Sequence, residues 1–352
     1  MRKILTALTI ITLCLAGGAA WAAAPGGNTV TINGVFAGHA YGNSTNGGVT
    51  ANADPWDNTL NIESGADIPD SAFGAQYNGA VEVKNNTANM NGGKVGVGIF
   101  GGRNDSSGGA KNNTATISGG TAGYADGGYS EFGDANDNKV TISGGTVTGN
   151  VTGGDGGGDG NNNTVTISGG TVKGDVIGGY GENGDANDNT VTISGSPTFG
   201  ANTILYGGAI GSGTGNVTGN KLELKTAVSV KGVRTFEFID FHLPADIAAG
   251  GNMLTVTDAA SLGNVKVDLK FAGATPNLSK SDVITLIDKV TGTFTIKAVT
   301  ISDYRFVLSV NEGKLIAIVT AAPGGGGGGC NAGLGFLGLL ALAIPFVLKK
   351  RG

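Results

Sequence analysis

The chain has 352 residues, of which 67 are glycine, 14% are charged and 6% are aromatic, and its formal net charge is −5. That balance argues against an ordinary globular core, and the want of a Gly-X-Y period excludes a collagen helix. An acidic chain offers no basic face to phosphate, which argues against nucleic acid as a partner.

Residues 1–22 read as a secretory signal peptide. Arg2 and Lys3 precede an apolar run from Ile4 to Leu15, and Ala20-Trp21-Ala22 places small residues around a cleavage point. Cys14 lies in that run without the small residue before it that a lipoprotein signal needs, so it leaves with the signal. The mature chain is expected outside the cytoplasm.

Residues 25–220 are repeats. NTATISGG at Asn113, NKVTISGG at Asn138, NTVTISGG at Asn163 and NTVTISGS at Asn189 follow one another at intervals of 25, 25 and 26 residues. Looser copies start at Asn28, Asn58, Asn86 and Asn220. Val140 and Ile142, Val165 and Ile167, and Val191 and Ile193 share one parity, with Thr or Lys on the other, the pattern of a half-buried strand. Gly144-Gly145 and Gly169-Gly170 supply bends. A second strand follows, with Val147, Gly149 and Val151, or Val172, Gly174 and Val176, facing inward. A unit this small cannot cover its own apolar face, so units must stack. The predicted fold is all-β: a right-handed parallel β-helix of about eight coils, each inward Val or Ile contributing about 1.5–3 kcal/mol.

Stacking aligns polar residues as well. Asn113, Asn138, Asn163 and Asn189 are expected to form an amide ladder along the axis. Asp134, Asp159 and Asp185 fall four positions before the last three of these. Carboxylates about 4.8 Å apart repel, which makes them a candidate Ca²⁺ site with oxygens added by Asp137 and Asp188; the alternative is plain turn chemistry. No other cofactor is indicated. Outward Thr114 and Thr116, Thr164 and Thr166, and Thr190 and Thr192 resemble the threonine faces of β-helical ice-binding proteins, although Lys139 interrupts them. Tyr124, Tyr129 and Phe132 in Gly123 to Asp137, and Tyr180 in Gly178 to Asp188, are expected on variable loops, either as glycan or protein contacts or as cover for an open groove.

No catalytic residue is expected. His39 and His242 are the only histidines, and neither is near a nucleophile motif. Arg103 and Arg234 alone precede Arg305 in the mature chain, a poor supply for the alternative of a polysaccharide-degrading β-helix enzyme.

Residues 221–322 have a different texture and are expected to be a β-rich cap, or irregular final coils. Val265, Val267, Leu269 and Phe271 alternate with polar residues, further strands fall at 283–287, 293–299, 304–310 and 314–319, and Phe236, Phe238 and Phe241 replace valine as filler. The repeats, with MLTVTDAASL at Met253, resemble passenger regions of autotransporter-like adhesins.

The tail runs from six glycines, Gly324 to Gly329, through Cys330-Asn331-Ala332-Gly333 to an apolar stretch, Leu334 to Leu348, and Lys349-Lys350-Arg351. It resembles the Synergist-type C-terminal sorting signal. That resemblance implies a spacer and motif over 323–333, a membrane helix with a basic stop over 334–352, and cleavage near Cys330 by a rhomboid-like, rhombosortase-type protease. Cys330 is the only thiol left after signal removal, so no internal disulfide forms. The function expected is that of a secreted, surface-sorted solenoid of a Gram-negative-type bacterium, adhesive or structural, with a glycan or a host or bacterial surface as ligand.

Overall fold

The structure is a computed structural model describing residues 27–43 and 55–323. The signal peptide and the sorting tail, including Cys330, Asn331, Ala332 and Gly333 and the apolar helix, lie outside the described residues.

The repeats stack as a parallel β-solenoid. Its front face is an eleven-stranded sheet in which strands from successive coils are neighbours. Lys139–Ile142, for example, lies between Thr114–Ile117 and Thr164–Ile167. Register is without stagger: Ala115, Val140, Val165 and Val191 stand in one column, and Ile117, Ile142, Ile167 and Ile193 in another. Every one of these eight side chains has 0% exposure. The period-2 alternation therefore becomes two continuous apolar columns inside the tube.

The bend after each front strand is a matter of backbone handedness. The second glycine of the pair, Gly120, Gly145 or Gly170, has φ between 72° and 81°, a region that a side chain makes costly. A methyl group there would also meet the coil beneath, for instance 2.8 Å from the Gly119 carbonyl carbon at Gly145.

The second strand differs from the expectation. Val147 and Val151 are buried, but Gly149 lies between two separate strands, Thr146–Val147 and Val151–Gly156. Each such coil thus holds an extra bend, because Gly149 closes to 2.5 Å from the Gly123 carbonyl through its amide instead of continuing the strand. A short third face, Val83–Lys84, Ala110–Lys111 and Ala135–Asn136, completes the cross-section there.

The change of texture at residue 221 is no break in the sheet. Lys221–Leu224, Phe238–Leu243, Ala260–Phe271 and Val290–Thr295 extend the front face in parallel. Larger residues enter the core: Phe241 is fully buried and Phe236 nearly so, whereas Phe238 faces outward beneath Lys266, 4.7 Å from its ring centre. Only at the end does pairing change sense. Val228–Val230, Asn252–Val256 and Val283–Ile287 are parallel neighbours, then Lys314–Ala321, Tyr304–Asn311 and Val299–Ile301 join antiparallel. Local hairpins follow the last parallel strand, so the stack ends without another full coil.

Replacing Ile167 by Ala is expected to cost about 2–5 kcal/mol, because its column has no freedom to collapse without moving the coils on both sides. Chemical denaturation followed by circular dichroism measures the loss, and a cost below about 1 kcal/mol would contradict a dry, close-packed column.

Candidate functional site

The seven front strands from Thr59–Ile62 to Lys221–Leu224 begin at corners built in the same way. The residue before each asparagine has left-handed backbone: Asp57, Asn85, Asn112, Asp137, Asn162 and Asp188 have φ between 54° and 61°, and Gly219 has 72°. Asn, Asp and Gly are the types that enter that region at least cost, and they are the only types used here. After this turn the next amide is answered by a side chain. Asn113 N–H donates to Asn138 Oδ1 at 2.9 Å, Asn138 to Asn163 at 2.8 Å, and Asn163 to Asn189 at 2.8 Å. The Nδ2 groups of Asn113, Asn138 and Asn163 donate back to the carbonyls of Val83, Ala110 and Ala135, each at 2.9 Å. All four asparagines are buried, and the ladder runs further, through Asn58, Asn86 and Asn220. The doublets Asp-Asn and Asn-Asn at the corners were the sequence signal for these left-handed residues.

Asp134, Asp159 and Asp185 also stack, but as a row and not a chelate. Asp159 N–H donates to Asp134 Oδ1 at 3.0 Å, Asp185 N–H to Asp159 Oδ1 at 2.8 Å, and Asn216 N–H to Asp185 Oδ1 at 2.7 Å. Backbone amides from the next coil thus answer the repulsion that suggested Ca²⁺. Oxygens strung along an axis do not converge as a hard cation requires. Asp137 and Asp188 supply the left-handed corners instead, Asp137 also lying 3.5 Å from Lys111. A parallel row of Asn136, Asn161 and Asn187 repeats the same amide-to-Oδ1 bond at 2.7 and 2.6 Å.

Side chains do converge on the outside of the back face, where glycine pinches the tube. A methyl on Gly153 would stand 2.8 Å from Asn163 Cβ, and one on Gly154 2.4 Å from Asn163 Oδ1; Gly178-Gly179 approach Asn189 and Gly128 approaches Asn138 in the same way. The residues flanking these pairs lean together outside. One flank aligns Tyr41, Phe73, Phe100, Asp126, Thr152 and Ile177, and the other Arg103, Tyr129, Asp155 and Tyr180.

The first half of this groove is filled by its own aromatic residues. Tyr41 stacks on Phe73 at 5.3 Å, Phe73 on Phe100 at 5.0 Å, and Tyr124 meets Phe100 edge-on at 5.4 Å. The Arg103 guanidinium lies 4.4 Å from the Tyr129 ring centre and pairs with Asp105 at 2.5 Å. Tyr124 and Tyr129 therefore cover an external cluster. His39 joins it, its Nδ1 accepting from Ser71 N–H at 3.1 Å.

Beyond Phe100 the groove turns acidic. Burial pushes the Asp126 carboxyl well above the usual carboxylate range, the Asp155 charge adds to this, and the Thr152 hydrogen bond and Arg103 oppose it. Asp155 is pushed up to about 6 by burial and then by Glu182, again against Arg103. Tyr129 donates its hydroxyl to Glu131, and Tyr180 donates to Glu182. That bond, with burial behind it, holds Tyr180 up at about 12. Repeat alignment hides Asp126 and Asp155, since they stand on opposite flanks. Their signal is an acid beside a glycine pair, Asp126-Gly127-Gly128 and Gly153-Gly154-Asp155.

One further group gathers on the front face, where ligand atoms of Glu223, Asp240 and His242 lie within 4.8 Å of one another. Lysines already occupy it: Lys270 reaches Asp240 at 2.6 Å, Lys221 reaches Asp240 and Glu223 at 2.9 Å, and Lys225 reaches Glu223 at 3.1 Å. Burial works upward on both carboxyls, but these bonds outweigh it and hold them low, while burial and then Lys225 depress His242. Three ammonium groups against two carboxylates leave no negative field to draw a cation.

Ladders, columns and an external groove define the chain as a parallel β-solenoid. No protein-family model, curated protein or solved structure matches it.

Asn163→Ala is expected to cost about 1–3 kcal/mol by leaving the Asn138 amide and the Ala135 carbonyl unanswered, measured as a lowered denaturation midpoint. Because both groove acids have folded pKa values above their unfolded ones, their contribution is complete below the unfolded carboxylate pKa and is lost as pH rises through the folded values, about 6 for Asp155. Asp155→Asn should flatten that decline by about 1–3 kcal/mol. Melting curves at several pH values read the effect, and identical profiles for both proteins would refute it.

Proposed function

We propose that this protein is an exported, surface-displayed rod whose role is adhesive or structural and does not include catalysis. The observation that carries the reading is the continuous stack. Side-chain ladders reinforce a tube that projects two different faces, a front whose outward residues are mainly threonine and asparagine in the repeat coils and mainly charged in the later ones, and a grooved back. A stiff solenoid held by its own coils suits presentation of a surface at a distance from the cell.

The signal-like residues 1–22 supply export in this reading, and the tail supplies sorting. A rhomboid-like protease cuts near Cys330-Asn331-Ala332-Gly333 after the apolar segment has entered the membrane. Ligands are a glycan or a host or bacterial surface. A polysaccharide-degrading role has one observation in its favour, the raised carboxyls of Asp126 and Asp155 within reach of the Arg103 charge.

Intact-mass measurement of the protein recovered from the cell envelope should show loss of residues 1–22 and a C-terminus near Cys330. An unprocessed mass would remove the export and sorting proposal. Saturable binding of the purified protein to bacterial or host cells supports adhesion, self-association into sheets or fibres supports the structural role, and release of new reducing ends from a polysaccharide would replace both with catalysis.

A further inference from the structure

We infer that the open half of the back-face groove, around Tyr129, Asp155 and Tyr180, is a binding site for a linear glycan carrying amino groups. The inference rests on the adhesive reading above and names its ligand.

Three features of the site carry it. The first is spacing. Tyr129, Asp155 and Tyr180 are direct register partners on successive coils, so the two tyrosines stand about 10 Å apart with the carboxylate between them. That is the repeat of a disaccharide, so of three linked pyranose rings running along the solenoid axis the outer two would each lie over one tyrosine and the middle one would be presented to Asp155. Both tyrosines keep a solvent-facing surface; that of Tyr129 is partial, since its ring also carries the Arg103 guanidinium and borders the aromatic cluster. Phe73 and Phe100, at 2% and 1% exposure, are not available in this way.

Charge is the second feature. Glu131, Asp155 and Glu182 border the open part of the groove and Asp126 underlies it, while Arg103 is taken up by Asp105 and the Tyr129 ring. Burial and neighbouring acids already burden Asp155. A polyuronate would add like charge to this field and be repelled, whereas an ammonium on a hexosamine relieves it.

The third is orientation of the acceptors. Glu131 and Glu182 are held by the phenol of the tyrosine two residues before them. Stacking surface and charged acceptor thus come as a preorganised pair on each side of Asp155, and less ordering is left for the ligand to impose. The glycine pairs at the pinch add no side chain of their own to the floor.

Isothermal titration of the purified full-length protein with a chitosan oligomer, a chitin oligomer and an oligogalacturonate tests the assignment. The expected order is chitosan tightest, chitin weaker and oligogalacturonate without heat. Tyr180→Ala should weaken chitosan binding about tenfold, the scale of one lost ring contact, and Asp155→Asn should weaken chitosan more than chitin. Circular dichroism and melting of each variant establish that the solenoid persists. Oligogalacturonate binding as tightly as chitosan overturns the inference. So does chitosan binding that is indifferent to both substitutions and vanishes in moderate salt, which would be charge attraction alone. If the protein adheres to cells but takes up no chitosan, the ligand assignment fails while the adhesive reading stands; if it binds chitosan through Tyr180 but adheres to nothing, the reverse holds.

Discussion

A parallel solenoid must bring the chain back to the same place once per coil, one strand spacing higher. Every position therefore meets its own equivalent above and below. Whatever one coil places in the wall, the next must tolerate at about 4.8 Å. Apolar side chains meet this condition easily, and Val140, Val165 and Val191 illustrate it. Polar groups meet it only when one residue can both donate and accept. Asparagine does, and the corner asparagines of seven successive coils, Asn58 to Asn220, form one hydrogen-bonded row.

The same condition governs how aspartate stacks. In the row of Asp134, Asp159 and Asp185 the stacking bond is made by a backbone amide of the coil above, so carboxylate never has to face carboxylate alone. In the groove no such amide is available to Asp126 and Asp155 across the glycine pairs, and burial there acts on the charged form without that compensation. One residue type thus has a structural role at the corner and a chemically strained one in the groove. The difference lies in what the next coil offers it.

Departures from the repeat are informative for the same reason. From Lys221 onward the period loosens and leucine, isoleucine and Phe241 join valine in the interior columns, yet the front sheet continues because its register survives. The stack ends where the chain folds back on itself in antiparallel hairpins. The aromatic cluster of Tyr41, Phe73, Phe100, Tyr124 and Tyr129 is a second departure: a small core on the outside of the tube, made possible because paired glycines draw the wall inward.

From the sequence alone, the spacing of Asn113, Asn138, Asn163 and Asn189 and the phase of Val and Ile determined the solenoid, its apolar columns and the existence of a ladder, because equal periods in a stacked chain become neighbours in space. The left-handed corners had a signal in the Asp-Asn and Asn-Asn doublets that the reading of Asp137 and Asp188 as calcium oxygens passed over. Tertiary structure alone decided that Gly149 interrupts a strand, that Asp134, Asp159 and Asp185 bond to amides in a row, and that Tyr124 and Tyr129 cover a cluster. It alone brought Asp126 toward Asp155. Those outcomes depend on which way the wall bends at glycine and on which flank of the bend each residue falls, and a one-dimensional period carries no information about either.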